Sequence, residues 1–513
     1  MKYRYIKYLA LASVLALGSC SSDYLNTNPT DSTSPETLYK TTENIKMAVN
    51  GLAKTMTMQH LGEQGFNGEG TIKMYYGEYS GQNFRVNLPG WANLINGSFY
   101  DSVDSIYDYY PWYYYYKLIG NANDILAYID NAEGPLSEKK YLRAQALSYR
   151  AYGYLMLNQL YGNRWVDSNG GTTKSVVLRL SIKDPKDLST STLKEVYDQV
   201  YKDLDEAITL FKEASYTRPA GKFYYMDESV AHAIYARTAV TRQDYSVAEK
   251  EAELARKNYA LMSVSDYKNG FANPNNEWIW GSFGASDEQL HYYSYYSYLA
   301  YNSNAGSVRN YPKRMAKELY ETIPVSDIRR DLFLNPSGYD VKTYNNETGV
   351  AVAKSPLDVD ARVKFPALQK DALVAAYMQF KFKANDLPGV GNMNHFRASE
   401  MYFIEAEAKH FLGKDGEAAQ LLEEVIAKSG RDSKYTCTKT GNALFEEIVK
   451  YRGIEFWGEG LDWFDMKRWN RSIVRKLASE GGNYPKELAK TLKPDETAAK
   501  WTWKIPNKEN DFK

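Results

Sequence analysis

The richest concentration of reactive side chains in this 513-residue chain is YRGIEFWGEGLDWFDMKRW, Tyr451 to Trp469. Arg452 and Glu455 stand at i, i+3, and Glu455 and Glu459 at i, i+4, so a helix would carry all three on one face. Two carboxylates so spaced could serve as general acid and base, given an open cleft and pKa values driven apart. The interleaved Phe456, Trp457 and Trp463 point instead to a buried ion network bracing a helix. The five histidines, His60, His232, His291, His395 and His410, form no metal-binding spacing, and Cys437 stands alone. No G-x-S-x-G elbow or Walker loop occurs; the series Gly62, Gly65, Gly68, Gly70 lacks the lysine and reads as a flexible surface loop. No catalytic residue, metal or cofactor is expected.

Tyrosine is where the chain departs from average, with 46 residues. Tyr107 to Tyr116 reads YDYYPWYYYY, and a second cluster, HYYSYYSYLAY, runs from His291 to Tyr301. A tyrosine ring packs like a hydrophobe while its hydroxyl seeks a partner, so these rings are either core or a stacking surface. The C–H face of a pyranose suits the electron-rich face of an aromatic ring, and the hydroxyl can serve the sugar's own hydroxyls. Such chemistry fits a neutral ligand. The chain has 63 basic and 63 acidic residues and a formal net charge of zero, which argues against nucleic acid.

The elements that must position these rings are mostly helical. TENIKMAVNGLAKTM opens a helix near Thr42, capped by Thr41 or Thr42. Trp112, Tyr116, Ile119 and Asn123 share one helical face and read as core, whereas Tyr107, Tyr109 and Tyr110 precede Pro111 in chain expected to be irregular. A long helix spans Glu138 to Gly162, where Ala144, Ala146, Ala151 and Gly153 permit close helix approach. Helical patterning returns over Thr192 to Glu213, Glu228 to Asn258 and Ser399 to Ala427. DYSVAEKEAELA looks like a tetratricopeptide second helix. Two irregular stretches interrupt the helices, around 63–110 and 278–388, the second with strand-like EWIWGSF and AAYMQFKFK. Long irregular segments in a compact protein are usually functional, and both tyrosine clusters fall in or beside them.

The N-terminus reads as an export signal. Lys2, Arg4 and Lys7 precede an apolar run, Tyr8 to Leu17, too short for a membrane span, which needs ~20 apolar residues. LGSC follows, Leu17 to Cys20, resembling a bacterial lipobox in which residues 1–19 are removed and Cys20 is acylated. Several acyl chains give stable anchoring. The polar SSDYLNTNPTDSTSPE behind it reads as tether, 20–41, leaving 42–513 as one domain.

Several motifs in order resemble the SusD/RagB-like family of Bacteroidetes outer-membrane lipoproteins. They are CSSDYLNTNPTD, RAQALSYRAYGYLMLNQLYG, FRASEMYFIEAEA, and above all the stretch carrying Arg452, Glu455, Glu459–Gly460, Trp463–Phe464–Asp465 and Arg468–Trp469. Departures are few: Tyr451 stands where Glu is usual, Leu461–Asp462 replace His-Arg, and the closing Asn-Pro is missing. The resemblance implies a mainly α fold: four tetratricopeptide-like helical pairs in a curved layer, packed against a loop-rich layer with a few short strands. It implies a non-enzymatic, surface-exposed lipoprotein of the cell outer membrane, facing the exterior, that captures oligosaccharide and delivers it to a SusC-like TonB-dependent transporter. A peptide-binding protein of the RagB type, or a lid subunit with little ligand binding of its own, is the alternative. The family's site is an arc of aromatics before the first paired helix and from the loop-rich layer. On that basis Trp91, Tyr109, Tyr110, Trp112 and Tyr113 are candidate contacts, helped by Asn83, Arg85 and Asn93, with Tyr292, Tyr293, Tyr295, Tyr296 and Tyr298 from the second cluster.

Overall fold

A computed structural model describes residues 35–513 except 87, 89, 186–187, 285–293, 346, 497–499 and 513. The candidates Cys20, Tyr292 and Tyr293 lie outside the described residues. The protein is mainly helical, as expected. α1 spans Thr42–Thr55, and the Thr41 side chain accepts a hydrogen bond from the Asn44 N–H, closing its first turn. α2 (Ile106–Tyr128) and α3 (Leu136–Tyr161) form the first long pair. α4 (Leu193–Ala214) follows, opened by a capping box in which Thr192 and Glu195 satisfy each other's backbone N–H. α5 (Glu228–Arg242) and α6 (Tyr245–Arg256) divide the single run read from the sequence. Gln243 takes a left-handed conformation (φ 62°) between them, and so short a link makes the two antiparallel. α7 (Pro356–Lys364) belongs to the loop-rich layer, whereas α8 (Ala398–Phe411) and α9 (Asp415–Glu423) form the last pair before α10 (Gly441–Glu455) and α11 (Asp462–Arg468).

Each long helix packs chiefly on its neighbour in a row: α2 on α3, α3 on α4, α4 on α5, α5 on α6, α6 on α8, and α8 on α9 and α10. The row holds together because its inner helices are apolar or small on nearly every side. From Tyr141 onward α3 is buried almost all round. Gly153 allows α2 to come close, since a Cβ there would meet the Ile119 side chain at 2.8 Å.

The loop-rich layer carries three small antiparallel sheets. β1 (Phe84–Arg85) pairs with β3 (Arg314–Met315), β2 (Trp278–Ser282) with β4 (Met393–Arg397), and β5 (Ile473–Val474) with β6 (Thr491–Leu492). EWIWGSF supplies β2 as read, but among the described residues AAYMQFKFK makes only isolated bridges, Ala375 to Val350, Met378 to Arg314 and Gln379 to Phe333. The stretch 63–110 also corrects the sequence reading. Gly68–Thr71 is a helical turn that runs into a π-helical segment, Ile72–Tyr79, and all of it is buried. Its glycines are contact residues and not a surface loop. Gly68 has φ 48° and a Cβ on it would fall 2.0 Å from the Met56 carbonyl oxygen, while one on Gly70 would fall 3.1 Å from the Tyr295 Cβ.

Candidate functional site

The first tyrosine cluster is helical, not irregular. α2 begins at Ile106, capped by Ser105, so Tyr107, Tyr109 and Tyr110 lie in its first turns and Pro111 lies inside it. A proline there removes the N–H that would bond the carbonyl four residues back. Tyr76 repairs the loss: its hydroxyl donates to the Tyr107 carbonyl at 2.6 Å. The next rung is opened and bridged. The Tyr161 hydroxyl donates to the Asp108 carbonyl at 2.5 Å and accepts from the Trp112 N–H at 3.1 Å. Two tyrosines from other elements thus splice the break.

Most of the remaining rings are spent in the same way. Tyr116 donates to the Val177 carbonyl (2.6 Å) and accepts its N–H (2.9 Å); Tyr154 does both for Arg179 at 2.7 Å. These hydroxyls stand in for a neighbouring strand beside extended chain that has none. Tyr114, Tyr115 and Tyr152 converge on the buried Glu69 carboxylate at 3.1, 3.1 and 2.6 Å. Burial pushes that carboxyl up, and the Tyr152 hydroxyl and the Lys73 charge pull it partly back.

Several candidates are therefore enclosed. Tyr110 is 0% exposed and donates to the Gly68 carbonyl at 2.9 Å, and Trp112 donates its indole N–H to Glu509 at 3.0 Å. In the second cluster Tyr295 donates to the Gly458 carbonyl at 2.5 Å, Tyr296 to the Phe271 carbonyl, and both rings are buried. Arg85, also buried, donates to the Asn483 carbonyl. Each carries a polar atom that would be costly to bury unpaired, and each finds its acceptor inside the protein rather than in a ligand.

Asn83 is half-buried and faces away from the tyrosines. Together with the backbone of Gln82 it holds the Asp462 carboxylate through three hydrogen bonds of 2.6–2.7 Å. This is the wall of a separate cavity of about 230 Å³ shared with Glu78, Arg452 and Trp457. Of its acids Glu78 and Asp465 are buried, Glu318 and Asp462 are half-buried, and Glu446 is exposed and paired with Arg471. Burial raises Glu78 to about 8 and Asp462 to about 6.

What remains accessible is a seam of half-buried rings: Trp91, Phe99 and Tyr107 on one side, Tyr109 and Tyr113 on the other. Tyr107 stacks on Phe99 at 4.8 Å (18°) and meets Trp91 edge-on at 5.9 Å. Tyr109 and Tyr113 lie 5.8 Å apart one helical turn on, with the Lys508 ammonium 4.6 Å over Tyr109. Buried rings link the two halves from below: Phe66 touches Tyr107 at 5.7 Å and Tyr110 at 4.8 Å, and His60 meets Tyr110 at 6.3 Å and Tyr113 at 6.0 Å. Asn93 and Ser98 are exposed beside Trp91 and Phe99. Among the described residues the second tyrosine cluster reaches the seam only from within the core. The buried Tyr75 has its ring 4.5 Å from Trp91 and its hydroxyl 3.0 Å from that of Tyr298, and the candidate Tyr298 is itself buried like Tyr295 and Tyr296. Phe99 is not among the candidates read from the sequence; a turn at Gly97 (φ 69°) brings it to Tyr107.

The Glu455 region is a sealed ion network. Arg397, delivered by β4 at the start of α8, reaches Glu277 (2.6 Å), Glu455 (2.7 Å) and Glu459 (2.8 Å). Arg329 and Arg431 complete the shell of Glu455 at 2.8 and 3.1 Å, and Lys381 that of Glu459 at 2.7 Å. Burial alone would raise the Glu455 carboxyl, but Arg431, Arg397 and Arg329 hold it well below the carboxylate range. Arg452 does not join it. α10 ends at Glu455, and Arg452 turns to Asp465 at 2.6 Å instead. Among the described residues no group of three or more His, Cys, Asp or Glu could hold a metal ion.

Comparison with known proteins agrees with this architecture. Residues 23–240 match the family model described as starch-binding and associating with the outer membrane, and residues 242–513 match the model of the SusD family. The chain belongs to the SusD family. The SusD-like protein P38 of Formosa agariphila is 25% identical over 504 residues, covering 91% of this chain and 92% of the relative. A SusD-like carbohydrate binding protein from Bacteroides vulgatus has the same fold, with TM-score 0.72, 22% identity, and 92% and 96% of the two chains covered. Surface glycan-binding protein A from Bacteroides thetaiotaomicron, solved in complex with laminarihexaose, aligns with TM-score 0.65 and 17% identity over 91% and 97%. SusD-family proteins bind carbohydrate and are not enzymes, and this one keeps its clustered carboxylates locked among arginines.

Proposed function

We propose that this SusD-family protein is a surface lipoprotein that captures an oligosaccharide on the Trp91–Phe99–Tyr107 and Tyr109–Tyr113 seam and passes it to a TonB-dependent outer-membrane transporter. The observation that carries the reading is the seam itself: these rings keep an open edge where their neighbours are buried, and the side chains beside Trp91 and Phe99 are the neutral Asn93 and Ser98. Flat rings with neutral polar neighbours suit a sugar in the half around Trp91 and Phe99, while Lys508 and Lys117 lie over Tyr109 and Tyr113 in the other half. Cys20 would be the lipidated residue, holding the protein at the outer membrane facing outward. Consistent with an anchor outside the fold, no helix among the described residues is long and apolar enough to cross a membrane. Titration of the purified protein with neutral and charged oligosaccharides and with peptides tests the reading. Neutral sugars should bind, and a preference for peptides would assign the protein to the RagB type of cargo.

A further inference from the structure

A second polar groove lies away from the seam, between the α4–α5 connection and the chain that enters β2. It is open to solvent and offers about 570 Å³, within the range of small-ligand sites. One wall is the turn Arg218–Phe223; the other is formed by Asn258, Tyr259 and Pro274–Asn276. Trp278 and Phe223 meet edge to face at 5.8 Å between them.

Three features point to a ligand. Trp278 is 2% exposed, yet its indole N–H has no acceptor among the described residues. Buried indole donors are normally paired, so this one marks a missing acceptor. Asn258 and Asn276 are exposed on the facing wall, and their side chains make no hydrogen bond among the described residues. The wall is also rigid without them. Arg218 donates to the carbonyls of Tyr225 (3.1 Å) and Ile279 (2.9 Å) and to the Tyr259 hydroxyl (2.7 Å), and pairs with Asp227 at 3.2 Å.

Charge decides the ligand class. The lining includes no carboxylate. Of its two cations Arg218 is neutralised by Asp227, while the exposed Lys222 donates to the neutral Tyr224 hydroxyl at 2.9 Å and keeps its charge in solvent. What the groove offers is amides, an indole donor and the half-buried Phe223, the chemistry that binds hydroxyls and C–H faces. We infer that this groove is a second carbohydrate site, taking a short neutral segment of glycan independently of the seam. Two contacts on one chain would raise the hold on a long glycan without either being tight.

Crystals of the protein soaked separately with maltoheptaose, laminarihexaose and cellohexaose test this directly. Sugar density against Asn258, Asn276 and Trp278 with any of the three is expected; a groove empty in all three overturns the inference. In solution, Asn258→Ala combined with Asn276→Ala, and separately Phe223→Ala, should weaken binding of the sugar seen there severalfold at an unchanged melting temperature. Density with solution affinity unmoved in both variants would mean binding at crystal concentration only, and would overturn it. Trp91→Ala with Tyr113→Ala should leave the groove occupied in the soaked crystal. That arm separates failure of the seam from failure of the groove, since a groove emptied by seam variants alone would refute its independence.

Discussion

Tyr161→Phe removes one oxygen atom from the protein and should cost far more than its size. The ring remains to pack edge-on against Trp112 at 5.0 Å, so little apolar burial changes. The hydroxyl, however, is the only described link across the opened rung after Pro111, donating to the Asp108 carbonyl and accepting from the Trp112 N–H. Its loss strands one buried donor and one buried acceptor. At roughly 1–3 kcal/mol for each buried group left unpaired, the expected destabilisation is about 2–6 kcal/mol. Partial closure of the helix over the gap would bring the value to the low end. Urea unfolding followed by tyrosine and tryptophan fluorescence reads this as a lower midpoint at unchanged slope. The control is Tyr113→Phe, at a half-buried ring, which should fall within about 0.5 kcal/mol of wild type, as surface changes do. If Tyr161→Phe also stays within that margin, the splice is not what holds α2 through its proline.

Other outcomes follow from the same geometry. Tyr110→Ala, Tyr295→Ala and Tyr296→Ala should each cost about 3–5 kcal/mol, as truncation of large buried rings does, and any loss of sugar binding should track unfolding in a melting curve. Glu455→Gln leaves three buried arginines short of charge, so a loss of about 3–5 kcal/mol is expected by chemical denaturation. Because the folded Glu455 carboxyl sits well below its unfolded value near 4.3, wild-type stability from this group is present above that pH and is lost as pH falls through the folded value. Glu78 has the opposite sign. Raised by burial to about 8, it contributes stability below pH ~4.3 that is lost as pH rises towards 8, so the melting temperature of Glu78→Gln should gain on wild type across that window. Cys20→Ala should leave an unlipidated precursor missing from the outer-membrane fraction, and palmitate labelling of that variant would refute the lipobox reading.

The helical frame was legible because helix periodicity and small-residue positions are local signals. Gly153 and the α1 cap behave as their spacing suggested. The motif around Glu455 was legible too, since aromatics alternating with charges announce burial. The tyrosines were not. A tyrosine bound to a carbonyl 61 residues away, as Tyr116 is to Val177, looks in sequence like one facing solvent. Pro111 misled for a physical reason: proline ordinarily ends a helix, and only hydroxyls from Tyr76 and Tyr161 let this one continue. The glycines at 68 and 70 read as loop because nothing local reveals that Met56 and Tyr295 press on them. Sequence could name candidate rings only as two clusters; which of them kept an open edge was decided by tertiary packing.

The central claim is that the seam holds a neutral glycan by stacking. Its most direct test is calorimetric titration of wild type and of Trp91→Ala, Tyr109→Ala and Tyr113→Ala with a neutral oligosaccharide that the wild type binds. Losing one ring removes about 0.5–1.5 kcal/mol beyond its buried area, so each variant should bind severalfold more weakly, at unchanged melting temperature and with little dependence on salt. Unaltered affinity in all three variants, or binding that collapses in moderate salt, would contradict the account.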